Sequence, residues 1–338
     1  MSTVINATTS SSSGNNLSPE MRTYYEKRLL QYAEPNLVYN QFADKYPIPQ
    51  GNGKTIQLRR YTALPTLTSA ITEGVTPDGQ PLDVEAITAT IAQYGGWVQV
   101  TDLLKLAAID NNIVQATKLL GAQAGRTKDA LTRDVVCGGS NVLFAPTWSG
   151  STPTAVAARN SMNATSLISV DLVFRAAAEL EAKNADPFDD GSYVAVIHPY
   201  VAYDLMRSDE WLDIHKYAKP NNIYKGEIGK IGNVRFVQST QAKIWKSSTD
   251  NCPSYSDSGT KYYGVFGTVV LGQHAFGTTE LSGGGLEMIT KQLGYGDDPL
   301  NQRASVGWKK THVAKRLNEE YIVRIESLSD YSKKVAAN

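Results

Sequence analysis

The chain has 338 residues, and its 33 lysines and arginines are balanced by 33 aspartates and glutamates, so the formal net charge is zero. This balance excludes the overall basic charge that is typical of nucleic-acid-binding proteins. Two cysteines in a chain of this length exclude a disulfide framework, and no apolar run is long enough to span a membrane. We therefore expect a protein that is made in a reducing cytoplasm, has no membrane span and folds around a substantial core.

Residues 1–50 are predicted to form an N-terminal arm. Residues 1–16 carry no charge and consist mainly of Ser, Thr and Asn, so this segment alone cannot bury enough apolar surface to become ordered. A helix follows, because Ser18 is a favourable N-cap, Pro19 suits the first helical position and Pro35 ends the pattern. The arm has aromatic patches but no closed core, and we expect it to lie on a partner surface.

Residues 51–98 are predicted to form an extended loop built as a β-hairpin. Residues 54–61 and 82–101 have strand character, and glycines and prolines punctuate the segment between them. The second run has twenty residues and no proline, and at ~3.3 Å per residue it would reach roughly 60 Å. A two-stranded hairpin is marginally stable in water, and its open edges favour pairing with other chains. A neighbouring copy of the same chain is therefore the expected support.

Charged side chains of both signs lie along this hairpin. Exposed ion pairs each contribute little to stability, but an interface that is repeated many times multiplies small terms. We therefore predict that six hairpin residues make contacts between subunits: Arg59, Arg60, Glu73, Asp78, Asp83 and Glu85.

A long amphipathic helix is predicted over residues 102–136. Apolar residues recur at spacings of three, four or seven, from Leu103 through Leu120 to Val135, and form one stripe. Lys128 and Asp129 fall among the charged residues that the pattern assigns to the opposite, exposed face. This helix is the longest element that the sequence predicts.

The remainder of the chain mixes predicted helices and strands. Residues 137–163 have the composition of a loop, and the elements between 165 and 280 indicate a compact α+β domain. Within it, Ser169 is the expected cap of a helix over 170–184 and residues 193–197 are a short buried strand. The helix residues expected to face inward are Leu172, Val173, Ala176 and Leu180. Further strands are predicted over 286–293, 304–310 and 321–326.

The search for catalytic, cofactor and metal sites finds none. Residues 51–55 (Gly-Asn-Gly-Lys-Thr) share part of a phosphate-loop pattern, but the first glycine of that pattern falls on Ile48, and a strand rather than a helix is predicted to follow. The four histidines are far apart, and Asp186, Asp189 and Asp190 do not match a calcium loop. His198 precedes Pro199 at a strand end and is interpreted as structural.

Five stretches, in a fixed order along the chain, carry a family resemblance; they lie at 17–29, 54–61, 72–77, 94–102 and 229–239. The chain resembles the major capsid protein of tailed bacteriophages, in the branch seen in crAss-like and related short-tailed phages. The resemblance implies an α+β fold with an N-terminal arm, an extended β-hairpin loop and two domains. The peripheral domain would contain the long spine helix and residues 99–164 and 281–338, and the mixed α/β axial domain would contain residues 165–280. The hairpin would lie across an adjacent subunit.

The same resemblance implies a structural protein and not an enzyme, without a cofactor. Many copies would assemble through hexamers and pentamers into an icosahedral head shell in the host cytoplasm. The further partners would be a separate scaffolding protein, a portal and packaged double-stranded DNA, which the inner face would contact without sequence specificity. Two alternatives stay open: an encapsulin-like compartment shell that holds a protein cargo, and a nucleotide-dependent enzyme built on Gly53 and Lys54.

Overall fold

The computed structural model describes residues 38–51, 53–61, 64–70, 73–74, 76, 78–103, 112–212, 226–256, 260–295 and 300–331. The helix predicted after Ser18 lies outside these residues, as do residues 104–111 of the predicted spine helix. The described helices include α1 (Asn112–Val136), α2 (Val170–Ala182) and α3 (Pro199–Met206). The described strands are β1 (Asp44–Lys45), β2 (Thr55–Tyr61), β3 (Val84–Thr90), β4 (Ala92–Thr101), β5 (Val142–Phe144), β6 (Thr147–Ser149), β7 (Thr152–Thr154), β8 (Tyr193–Ile197), β9 (Glu227–Ile231), β10 (Val234–Gln238), β11 (Ile244–Trp245), β12 (Ser254–Ser256), β13 (Thr260–Tyr262), β14 (Val265–Leu271), β15 (Phe276–Thr279), β16 (Glu287–Lys291), β17 (Arg303–Arg316) and β18 (Ile322–Ser327).

Two mixed sheets organise these elements. The seven-stranded sheet has the order β5-β18-β14-β8-β10-β9, and β11 also pairs with β14. The five-stranded sheet has the order β1-β15-β17-β16, and β4 pairs along the length of β17. Three short antiparallel pairs, β2–β3, β6–β7 and β12–β13, stand apart from both sheets. Helices packed on mixed sheets confirm the predicted α+β class.

The seven-stranded sheet is buried on both faces. Every residue of β8 is buried, and alternate residues of a strand point to opposite faces. Ala195 and Ile197 pack in one cluster with α2 and α3, whereas Val194 and Val196 pack in a second cluster with Tyr39 and the end of α1. A strand covered on both faces is a continuous apolar run, and that is the pattern of β8.

Helix α2 begins where the sequence predicts. The Ser169 hydroxyl accepts a hydrogen bond from the Leu172 amide at 3.4 Å, which satisfies one of the free N–H groups of the first turn. The residues predicted to face inward, Leu172, Val173, Ala176 and Leu180, are all buried.

Helix α1 packs across the five-stranded sheet. The contact is a small apolar cluster of Leu120, Ala124, Met288, Val306 and Trp308. The indole N–H of Trp308 donates a hydrogen bond to Gln123 Oε1 at 3.1 Å, so its polar atom is satisfied within the contact. The amphipathic spine helix is therefore confirmed over residues 112–136.

The prediction for the charged face of this helix is wrong at two positions. Lys128 and Asp129 are buried, because each has a fixed partner that compensates for the loss of water. Lys128 Nζ donates to Glu280 Oε1 at 2.6 Å, and Asp129 accepts backbone N–H groups of the arm. Conversely Leu103, which belongs to the predicted apolar stripe, is 72% exposed. Periodicity assigns a charge to the solvent side and carries no information on distant partners.

The predicted division into a peripheral domain (99–164 and 281–338) and an axial domain (165–280) stays a prediction. Three strands lie in one of these residue ranges but belong to the sheet that is built mainly from the other range. β15 belongs to the five-stranded sheet, whereas β5 and β18 belong to the seven-stranded sheet. Residue ranges do not predict which sheet a strand joins, because strands pair with distant segments of the chain. One example is β18, which pairs with β14 from Ile322 opposite Leu271 to Ser327 opposite Phe266.

Asp129 binds residues 38 and 39 of the arm to the spine helix. Its Oδ1 accepts the backbone N–H groups of Val38 and Tyr39 at 2.9 Å each, and Tyr39 is fully buried. The arm then continues as β1, parallel to β15. Burial raises the pKa of Asp129 to about 6, although the backbone hydrogen bonds lower it. An ionised Asp129 at neutral pH therefore costs stability.

We expect Asp129→Asn to be more favourable for stability at pH 8 than at pH 5 by about 1–2 kcal/mol, because the amide does not ionise. The folded pKa lies above the unfolded value of 3.8, so the fold is favoured by protonation, and this contribution is lost as the pH rises from 3.8 through about 6. Urea unfolding at both pH values measures the difference. Asp134→Asn, at a half-exposed position on the same helix, is the control and should change stability by less than about 1 kcal/mol. An equal effect of Asp129→Asn at both pH values would contradict the prediction.

Candidate assembly interface

The extended hairpin is formed by β2 and β3. The strands are antiparallel, with Thr55 opposite Thr90 and Tyr61 opposite Val84. The predicted second run, 82–101, is not a single hairpin strand. It breaks at Ile91, and its second half, β4, pairs along β17 from Ala92–His312 to Thr101–Arg303. The chain's own body therefore supports β4 along its length, whereas β2 and β3, before Ile91, form a separate two-stranded sheet.

The hairpin and its tip expose large apolar side chains. Leu67 is 77% exposed and Leu82 is 65% exposed, and Tyr61, Leu64 and Val84 are also exposed. None of the three buried apolar clusters of the described chain includes a residue of β2 or β3. A polar hairpin would be an ordinary surface feature, but a row of exposed apolar residues indicates a contact surface.

A second exposed apolar surface lies on the five-stranded sheet, where β4, β17 and β16 meet. The Trp97 side chain is 69% exposed beside a groove of 420 Å³, which is also lined by Gly95, Gly96 and Gly307. A Cβ added at Gly95 would lie 2.7 Å from the carbonyl oxygen of Trp308, so these glycines allow close strand pairing and leave the groove open. Lys291 lines the same groove. This surface was not predicted, because Trp97 follows two glycines within a run that has the pattern of an ordinary strand.

The structure brings two of the six predicted contact residues together. Arg60 and Glu85 are directly opposite in the hairpin, and Arg60 Nη2 lies 2.6 Å from Glu85 Oε2. This pair lies within one chain, so it does not by itself join subunits. Arg59 is exposed opposite Ala86, and three further residues are exposed toward the tip: Glu73, Asp78 and Asp83. All six residues remain predicted subunit contacts.

The described residues show no arrangement that indicates catalysis. Gly51 and Gly53 have φ values of +89° and +80° and form a turn, and β2 rather than a helix follows Lys54, so the setting of a phosphate loop is missing here. His198 caps α3 by accepting the Tyr200 N–H at Nδ1, and burial lowers its pKa to about 4, which fits the structural interpretation.

Within the ranges that the structure describes, no three His, Cys, Asp or Glu side chains are grouped so that they could hold a metal ion. None of the helices there combines the length and apolar character that a bilayer span requires.

Comparison with known proteins gives one family. A model of the phage capsid protein family matches residues 84–325, which is more than half of the chain. No curated protein has a significant match in sequence.

Solved structures similar to the chain come from capsids and capsid-like particles. A chain in the capsid of the cyanophage P-SCSP1u is 17% identical with a TM-score of 0.62, and the similarity covers 87% of this chain and 89% of that one. A chain in the capsid of the cyanophage Pam1 is 15% identical with a TM-score of 0.60, covering 96% and 98%. A virus-like particle from Pyrococcus furiosus is 10% identical with a TM-score of 0.50, covering 90% and 99%. At these identities the likeness shows a shared fold.

Proposed function

The chain belongs to the phage capsid protein family, and from this premise we propose that it is the major capsid protein whose copies enclose double-stranded DNA in an icosahedral head. The family match carries the assignment, because residues 84–325 contain β3, the spine helix and most of both sheets. A capsid protein acts as a structural protein in the virion shell, where many copies associate. The enclosure of DNA, the hexamers and pentamers, the scaffolding protein and the portal are parts of the proposal.

Two exposed apolar surfaces support a specific contact between copies. The hairpin presents Leu67 and Leu82, and the sheet presents Trp97 beside its groove. Burial of apolar surface contributes about 25 cal/mol per Å², so covering these surfaces favours association. We propose that the hairpin of one copy covers the Trp97 surface of the next.

Charge complementarity supports the same contact. Glu73, Asp78 and Asp83 give the hairpin an acidic tip, and Lys291 lies at the groove. The proposed subunit contacts are still the six predicted hairpin residues, of which Arg60 and Glu85 also pair within the hairpin. Such pairs steer association and set the register more than they add affinity.

The test of the proposed function is microscopy of particles formed by the purified chain, together with nuclease digestion of particles from producing cells. We expect closed icosahedral shells and nuclease-resistant double-stranded DNA inside those from cells. Shells that hold a protein cargo and no DNA would favour the encapsulin-like alternative. A chain that stays monomeric at all concentrations, with or without its scaffolding partner, would contradict the proposal. Nucleotide binding that is lost in Lys54→Ala would support the enzyme alternative.

A further inference from the structure

Arg60 connects the hairpin to the body of its own subunit. Its Nη2 donates to Glu85 across the hairpin at 2.6 Å, while its Nη1 donates to Asn318 Oδ1 at 3.1 Å and to the Leu317 carbonyl at 3.5 Å. A guanidinium presents several donors in a fixed fork, so one side chain makes both contacts at once. Glu85 thereby orients Arg60 toward the body.

The turn that receives Arg60 is held in place. The backbone N–H groups of Leu317 and Asn318 donate to the Ala275 carbonyl at 3.0 and 3.2 Å. Asn318 Oδ1 also accepts the Glu320 N–H at 3.2 Å and caps the short helical turn at Glu319–Tyr321. Because the turn is fixed between β17 and β18, a hairpin that is bound to it is held at one tilt angle relative to the body of the subunit. This angle is called the elevation of the hairpin.

Open space lies on both sides of the Arg60 contact. A cleft of 980 Å³ separates β3 from the ends of β17 and α1. A second cleft of 920 Å³ separates Arg60 and Tyr61 from the turn and from the end of α2. Arg60 lines both clefts, so its side chain bridges a gap that is otherwise open. If this bridge opens, the two clefts leave space into which the hairpin can move.

We propose that Arg60 is a latch that holds the hairpin at one elevation over its own subunit, and that opening the latch lets the hairpin tilt. The Arg60 side chain is 44% exposed, so the polar groups of a neighbouring copy can compete for the hydrogen bonds that it donates to the turn. The latch is a property of the single subunit and goes beyond the proposed shell function.

Three variants separate the latch from other effects. Arg60→Ala removes both contacts. Arg59→Ala is the matched control, because it removes the same charge from the adjacent residue, which points to the other face of the strand. The exchange Arg60→Glu with Glu85→Arg keeps an ion pair across the hairpin, but a carboxylate at that position has no proton to donate to the Leu317 carbonyl.

The measurement is the distance between two nitroxide labels in unassembled subunits, kept apart by dilution, using double electron–electron resonance. The labels are attached through Thr66→Cys near the hairpin tip and Ala182→Cys at the end of α2, both exposed positions. The native Cys137 and Cys252 are buried, so they do not react in the folded protein. Circular dichroism of each variant checks that the subunit is folded.

We expect one narrow distance distribution for the unsubstituted pair and for Arg59→Ala, and at least a twofold wider one for Arg60→Ala and for the exchange. A narrow distribution in Arg60→Ala would overturn the latch. Equal broadening by Arg59→Ala would also overturn it, since loss of charge alone would then be the cause. A narrow distribution in the exchange variant would assign the effect to the cross-strand pair instead. None of these outcomes depends on whether shells form.

Discussion

Glu326→Ala should lower the free energy of unfolding by about 3–5 kcal/mol, the range expected when one partner of a buried ion pair is removed. Glu326 has no exposed surface, and it accepts a two-point contact from Arg159, with Nε and Nη2 each 2.6 Å from a carboxylate oxygen. Arg324 Nε donates to the same carboxylate at 2.9 Å. Alanine would leave two largely buried guanidinium groups without their counter-charge.

The remaining contacts of the two arginines explain why they cannot move to water. The Arg159 guanidinium lies 4.0 Å from the centre of the Trp245 ring and donates to the Asp250 carbonyl at 2.6 Å. Arg324 donates to the Cys137 carbonyl and, at 3.0 Å, to the Gly139 carbonyl just beyond the spine helix. Glu326 therefore links the end of the spine helix to the seven-stranded sheet, and the loss of its charge should affect both.

Urea unfolding followed by tryptophan fluorescence measures this effect, because Trp245 lies in the affected cluster. Glu320→Ala is the matched control, since its exposed partner Lys183 is 3.5 Å away and such a pair contributes less than about 1 kcal/mol. Equal losses in the two variants would show that Glu326 is not a buried counter-charge. A soluble Glu326→Ala chain with unchanged stability would contradict the prediction outright.

Local signals in the sequence predicted the elements that depend on neighbours along the chain. The Ser169 cap, the apolar run of β8 and the stripe of the spine helix each need only a few adjacent residues, and each is confirmed. The short strands β5, β11 and β15 have two to four residues, which is too few for a recognisable alternation, and they form because a longer strand offers its edge. Residues 142–144 therefore read as loop.

The candidate interface was predictable only where it depends on residues that are close together in the sequence. The tip at 62–83 could be recognised from its glycines and prolines, and the signs of its charges could be counted. The partner of Arg60 could not be predicted, because Asn318 lies 258 positions away in the sequence. The exposure of Trp97 also depends on where β17 lies, since β4 shows one face to the spine helix and the other to solvent. Pattern alone does not distinguish an exposed tryptophan from a buried one.

Replacing residues 64–81 by Asn-Gly should leave a folded subunit and abolish closed shells. The three buried apolar clusters contain no residue between 51 and 88, so removing the tip takes nothing from the described core. The strands β2 and β3 stay joined by a short loop, and Asn-Gly favours the tight turns of hairpins. The variant loses Leu64, Leu67, Glu73 and Asp78, which are among the groups proposed to cover the neighbouring Trp97 surface.

Gel filtration, circular dichroism and electron microscopy of this variant test both halves of the prediction. Two point variants grade the effect: Leu67→Ser at the tip should reduce the yield of shells, whereas Leu300→Ser, at a leucine of similar exposure outside the hairpin, should reduce it less. Trp97→Ser should reproduce the loss caused by the shortened hairpin, because it removes the other side of the same contact. Normal shells from the shortened chain would refute the proposed role of the hairpin tip in assembly. An unfolded subunit would mean that the tip belongs to the subunit's own core.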